Sequence, residues 1–221
     1  MKWLERVGNP LEWRDIDKAL IVQGIVAPAM VGAAFRTRYL LMHPSVEPYY
    51  DRGMLELVNW VIVGFLVLTA VLTAIGLRLR RRAGRHRLYL HILNQTWWIT
   101  YAVLAYLHGL ATTPLWAIFP FLGFFCLLLF GAELTAAGVL SSLGLIYATT
   151  IAERAGLIPY APFFRELPLV DGRVADTWMW SSMIWPVAVS AVTFVVFAFL
   201  LARAREQAVR DRKSTRLNSS H

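Results

Sequence analysis

A chain of 221 residues that is 57% hydrophobic and 16% charged, with mean hydropathy +0.52, is more apolar than a water-soluble domain; such domains run ~45–50% apolar and ~25% charged. Its formal charge of +8 would suit a nucleic-acid binder, but the densest basic run lies between apolar stretches of membrane-spanning length, which argues against nucleic acid and for a lipid bilayer as the partner. The single cysteine, Cys126, excludes an intrachain disulfide and a multi-cysteine metal site.

Residues 1–18 carry mixed charge with Trp3 and Trp13 and break at Gly8-Asn9-Pro10, which predicts a cytoplasmic, interfacial amphipathic segment. Acids precede the apolar run that begins at Ala19, so a cleaved signal peptide is not expected. Residues 19–202 then predict an all-α integral membrane domain of six transmembrane helices, at about 19–42, 54–77, 88–112, 115–130, 134–152 and 178–202. Each is near the ~20 residues that cross ~30 Å of hydrocarbon. Pro28, Pro120 and Pro186 lie inside the first, fourth and sixth spans, with Pro28 a predicted kink. Thr113-Pro114 and Gly131-Ala132-Glu133 make tight connections, whereas 43–53 and 153–176 are longer loops. Span 5 carries Ala137xxxSer141 and Gly138xxxSer142, small-residue spacings that let helices approach closely. Packing within the bundle is the expected use; a homodimer through span 5 or through the C-terminal connecting helix is the alternative.

Orientation follows from the loop RLRRRAGRHR, whose Arg78, Arg80, Arg81, Arg82, Arg85 and Arg87 fix topology because arginine is costly to translocate. With that loop in the cytoplasm, both termini are cytoplasmic as well. The inner segments then hold Lys2, Arg6, Arg14, Lys18, the six loop arginines, Arg203, Arg205 and Arg210. The outer ones hold only Arg36, Arg38, Arg52, Arg154, Arg165 and Arg173. The asymmetry obeys the positive-inside rule, and a bacterial inner membrane is the expected location. Residues 203–210 read as the start of a cytoplasmic connecting helix. Residues 211–221, DRKSTRLNSSH, match the peptide encoded when a common sequencing adapter is read through as coding sequence. They are left out of the fold reasoning, which lowers the formal charge to +6 and implies a protein that continues past Arg210.

Span 3 is the most polar. His91, Asn94, Gln95, Trp98, Tyr101, Ala105 and His108 recur at helical spacing, so a polar face should point into the bundle. A ligand-sensing or proton-responsive pocket is the functional reading of that face; interhelical hydrogen bonding is the plainer one, and the favoured one. His91 and His108 lie ~25 Å apart along one helix and cannot share a haem iron, and no other span supplies a facing histidine. No cofactor is expected. Outside, His43, Glu47, Asp51, Glu56 and His108, and in the second long loop Glu153, Glu166, Asp171 and Asp176, form loose acidic groupings whose spacing fits no metal motif. Glu133 is read structurally, as a carboxylate at a helix start. No P-loop, HExxH, nucleophile elbow or Gly-rich dinucleotide turn is present, and no catalytic, cofactor-binding or metal-binding residue is assigned.

The layout resembles the six-span N-terminal region of bacterial multidomain signalling proteins. The segment AERAGLIPYAPFF at Ala152–Phe164 looks like segments of membrane-anchored class III adenylate cyclases and of sensor histidine kinases, and LARAREQAVR at Leu201–Arg210 is similar to the start of the connecting helix there. The resemblance implies a membrane anchor and sensory input module feeding a cytoplasmic output domain, a nucleotidyl cyclase first, with a histidine kinase or diguanylate cyclase as the alternative. The catalytic residues of such a domain would lie beyond Arg210, so none transfers to this chain. A complete small transporter or permease is the competing class, and predicts a substrate cavity at the midplane beside span 3.

Overall fold

The computed structural model describes residues 12–43, 49–82, 84, 86–108, 118–159, 165, 169–170, 173–174, 195, 198–199 and 201–202. Residues 1–11, most of the sixth predicted span, the connecting helix at 203–210 and the terminal 211–221 lie outside this set. The fold is all-α. Its helices are α1 (Asp15–Met42), α2 (Arg52–Leu79), α3 (Arg87–His108), α4 (Ile118–Phe130) and α5 (Ala132–Arg154). Among the described residues the extended structure is one short antiparallel pairing of Leu169–Val170 with Arg173–Val174. Among the described residues three helices, α1, α2 and α5, are long and apolar enough to cross a membrane.

The helix ends follow local chemistry. In α1, Asp15 and Asp17 occupy the first turn, where the helix dipole favours carboxylates, and the helix continues through Pro28. The α2 N-terminus is capped by Asp51, whose side chain accepts the Met54 N–H at 3.0 Å. Between α4 and α5 the chain turns on one residue, Gly131, at φ 87°, ψ −179°, a conformation that favours glycine. The connection predicted as Gly131-Ala132-Glu133 is therefore shorter, with Ala132 and Glu133 already helical.

α1 and α2 form an antiparallel hairpin. The start of α1 meets the end of α2, where Arg80 Nε lies 2.6 Å from Asp17 Oδ1 and Arg14 donates to the Arg80 carbonyl at 3.2 Å. The buried residues of α2 are Leu55, Val58, Ile62, Phe65, Thr69, Leu72 and Gly76, alternating at three and four positions. That is the 3.5-residue period of a knobs-into-holes seam. Along α1, Ile16, Ala19, Gln23, Met30, Thr37 and Leu40 fall on the same kind of stripe.

α3 is buried on two sides. Tyr89, Leu93, Trp97, Leu104 and Leu107 join the core built on α1 and α2. Trp98 packs with Leu122 and Cys126 of α4 in a second cluster, flanked by Tyr101, Phe119 and Val139. Tyr89 also ties α3 to α2, donating its hydroxyl to the Leu72 carbonyl at 3.0 Å. α3 and α5 run parallel, since contacts between them advance in the same direction along both chains: His91 with Glu133, Asn94 with Leu134, Trp98 with Gly138.

Candidate functional site

The polar face read from span 3 is the side of α3 that meets α4 and α5. Asn94 is its centre, 2% exposed. Its Nδ2 donates to the Leu134 carbonyl at 2.6 Å, and its Oδ1 accepts from Trp98 Nε1 at 3.1 Å and from the Cys126 thiol at 3.6 Å. The amide orientation is dictated by its partners, because indole N–H can only donate and a carbonyl can only accept. The Leu134 carbonyl is in the first turn of α5, so Asn94 pins the start of that helix.

One turn further along, Trp98 stacks on Phe119, with ring centroids 6.1 Å apart, and covers Gly138. A Cβ at position 138 would fall on the indole ring, so only glycine permits this approach. The Ser141 hydroxyl sits between Gln95 Oε1, at 2.5 Å, and the Gly138 carbonyl of its own helix, at 2.9 Å. Ser142 is buried as well. Gly138 and Ser141 of span 5 therefore pack against α3. The opposite face of α5 presents Leu140, Leu143, Tyr147 and Ile151, all exposed.

The two ends of this seam reach different connections, the α4–α5 turn at one and the segment after α5 at the other. At one end Glu133 lies 3.7 Å from Arg87 and 3.8 Å from His91. At the other, Tyr106 donates to the Pro159 carbonyl at 3.1 Å, beyond the end of α5. His108 donates Nδ1–H to the Leu104 carbonyl at 2.7 Å on its own helix, and Tyr101 is half-buried against the Trp98 cluster. His91, Asn94, Gln95 and Trp98 thus share one interface with α5, whereas Tyr101 packs towards α4 and His108 turns back on α3.

The acidic residues of the outer loops that are described do not converge. Among the described residues no group of three or more His, Cys, Asp or Glu is placed to hold a metal ion. His43 stacks on Tyr39 with centroids 3.8 Å apart, and Glu56 faces Arg52 at 3.5 Å. Asp51 instead holds a distant loop: Arg165 reaches its Oδ2 at 3.2 Å and donates its backbone N–H to the Tyr49 carbonyl at 3.1 Å. The Met54 N–H, then Arg165, hold the Asp51 carboxyl below the usual carboxylate range. Glu47, Glu166, Asp171 and Asp176 lie outside the described residues. Of the topology arginines, Arg78, Arg80, Arg81, Arg82 and Arg87 are exposed, and Arg85 lies outside the described set.

Sequence reasoning missed the partners of the polar face. Cys126, from which the sequence excluded only a disulfide and a multi-cysteine metal site, bonds to Asn94; Ser141 and Gly138, read only as small residues, are the surfaces that Gln95 and Trp98 meet. Trp97, beside Trp98, is buried in the other core and lies 6.4 Å from Phe130. Compared with family models, curated proteins and solved structures, the chain matches none of them.

Proposed function

We propose that this chain is the membrane anchor and sensory input module of a bacterial signal-transduction protein, with six spans, both termini in the cytoplasm, and a nucleotidyl cyclase as the output domain that it serves. The observation that carries the reading is the closed seam between α3 and α5. The polar side chains of α3 are engaged by Leu134, Gly138 and Ser141 of α5 rather than lining a void. A permease needs a midplane cavity beside this helix, and its polar residues would be turned towards substrate. A parallel helix pair bonded near both ends, by Glu133 and by Tyr106, suits a rigid element that carries a displacement from the outer loops to the cytoplasmic side. The heptad seam of α1 and α2 supplies the anchor against which that pair would move.

Two measurements test the proposal. Reporter fusions placed after Arg82 and after Gly172 should report opposite sides of the membrane, with the first in the cytoplasm. The same side for both would remove the six-span topology. Reading the gene past the Arg210 codon should then find an open frame encoding an output domain. A stop codon there would sink the signalling reading and leave the permease.

A further inference from the structure

The N-termini of α1 and α3 open on the same cleft, a cavity of about 520 Å³. Arg14, Arg82 and Arg87 supply its positive charge, His86 adds an imidazole, and Asp15 is the one carboxylate in its wall. Each helix start leaves backbone N–H groups without intrahelical acceptors and carries the positive end of a dipole. α3 has no acid in its own first turn to offset that dipole.

The cations differ in how firmly they are held. Arg14 is engaged by Asp17 at 3.0 Å and by the Arg80 carbonyl at 3.2 Å. Among the described residues Arg87 has a long contact to Glu133, 3.7 Å, with both side chains 66% exposed. Arg82 makes no ion pair among the described residues. His86 Nε2 is shielded from solvent and has no hydrogen-bond partner there. Asp15 is turned to Lys18 at 3.4 Å. An anion in the cleft would therefore meet Arg82, His86 and Arg87 with little to displace.

The apolar wall indicates the source of that anion. Ile16 and Leu90 line the same cleft and are 5% and 6% exposed, while Leu88, next to Arg87, stands 75% exposed on the outer surface of α3. A soluble phosphate would use the charged rim alone. A glycerophospholipid would use the rim for its phosphate and the adjoining apolar helix surface for its acyl chains.

We infer that this cleft is a binding site for the phosphate of an anionic glycerophospholipid, held by Arg82, His86 and Arg87. The inference rests on the chain lying in a bilayer but not on the signalling role. Full-length protein would be reconstituted in nanodiscs of phosphatidylcholine, alone or with a minor fraction of phosphatidylglycerol, and its thermal unfolding compared. Phosphatidylglycerol should raise the midpoint for the wild type. The doubly substituted Arg82→Gln/Arg87→Gln protein should lose most of that increment. A control, Arg78→Gln/Arg81→Gln, removes equal charge from the same loop outside the cleft and should keep it.

Equal loss in both variants, or no preference for phosphatidylglycerol in the wild type, would overturn the site. So would an equal shift from glycerol phosphate added to phosphatidylcholine discs, which would make the ligand a soluble phosphate. Because Arg87 also faces Glu133, the single variant Arg82→Gln serves as a second arm; it should show a partial loss with an unchanged midpoint in phosphatidylcholine. A chain that proves soluble without lipid or detergent removes the membrane reading itself, an outcome seen before any lipid preference is measured.

Discussion

The hairpin of α1 and α2 and the pair of α3 and α5 are two solutions to packing long helices. The hairpin is antiparallel, and its interface is a largely apolar stripe at heptad spacing that also buries Gln23, Thr37 and Thr69, with an ion pair at the end where Asp17 meets Arg80. The α3–α5 pair is parallel, and its interface carries Asn94, Gln95, Trp98 and Ser141 at its middle. In a bilayer the first is held by shape, because lipid tails are as apolar as the leucines they replace. The second adds directed hydrogen bonds that fix rotation and register. On the proposed reading, the pair that transmits movement would need such a defined register, whereas an anchor would need only close packing.

Substitutions at the two interfaces should separate these mechanisms. The largest effect is expected from Gly138→Ala. Its Cβ would overlap the Trp98 indole, which also stacks on Phe119 and is bonded to Asn94. Overpacking of this kind costs roughly 1–3 kcal/mol, and the upper part of that range is expected because moving the ring would disturb its contacts with Phe119 and Asn94. Equilibrium unfolding in mixed micelles should record the loss, and Trp98→Phe should recover part of it by removing the overlapping ring. A Gly138→Ala protein as stable as the wild type would refute the close approach.

Next is Asn94→Leu, which leaves the Trp98 N–H and the Leu134 carbonyl without side-chain partners. The expected loss is roughly 1–2 kcal/mol, since interhelical bonds in bilayers average less than 1 but one side chain here serves three groups. Gln95→Leu breaks one bond and should cost less than half as much. In the hairpin, Gly76→Ala is the matching probe. Its Cβ would lie 2.5 Å from the Tyr89 hydroxyl and 3.0 Å from Leu20 Cδ2. Both are the far ends of side chains that can swing, so about 1 kcal/mol is expected, chiefly for the lost bond from Tyr89 to Leu72. If Gly76→Ala proved costlier than Gly138→Ala, the contrast between the two interfaces would be reversed.

The helical runs were legible in the sequence because hydrophobic length and breaker residues are local properties. The predicted second span, 54–77, lies within α2, and the fifth, 134–152, within α5, each extended by about a turn into polar flanks that hydropathy does not weigh. The polar face of α3 was legible for the same reason, since it needs only the helical period. What the face meets was not legible. Asn94 and Leu134 are 40 positions apart, and a backbone carbonyl leaves no residue-type signature. Gly138 and Ser141 could be marked as small, but their partners depend on α3 and α5 being neighbours and parallel, which is a property of the assembled bundle. The pairing of Asp51 with Arg165 was hidden likewise, for the two are 114 positions apart and each looks like ordinary loop charge.

That last pair yields the smallest expected effect. Asp51 has two roles, capping α2 through the Met54 N–H and holding Arg165, and Asp51→Asn separates them because asparagine caps helices about as well as aspartate. The substitution removes the charge alone. Its cost should stay below about 1 kcal/mol, as for other solvent-exposed ion pairs. Its pH dependence carries a definite sign. The folded-state carboxyl titrates below its unfolded value of about 4, so its contribution is complete above that value and disappears as the pH falls through the lower, folded one. Wild type and Asp51→Asn should therefore differ in stability at neutral pH and converge in acid. High salt should narrow the gap at neutral pH, since the pair is exposed. A gap that persists in acid would mean that Asp51 acts through its cap and not its charge, and Arg165 would then be held by its backbone bond to Tyr49.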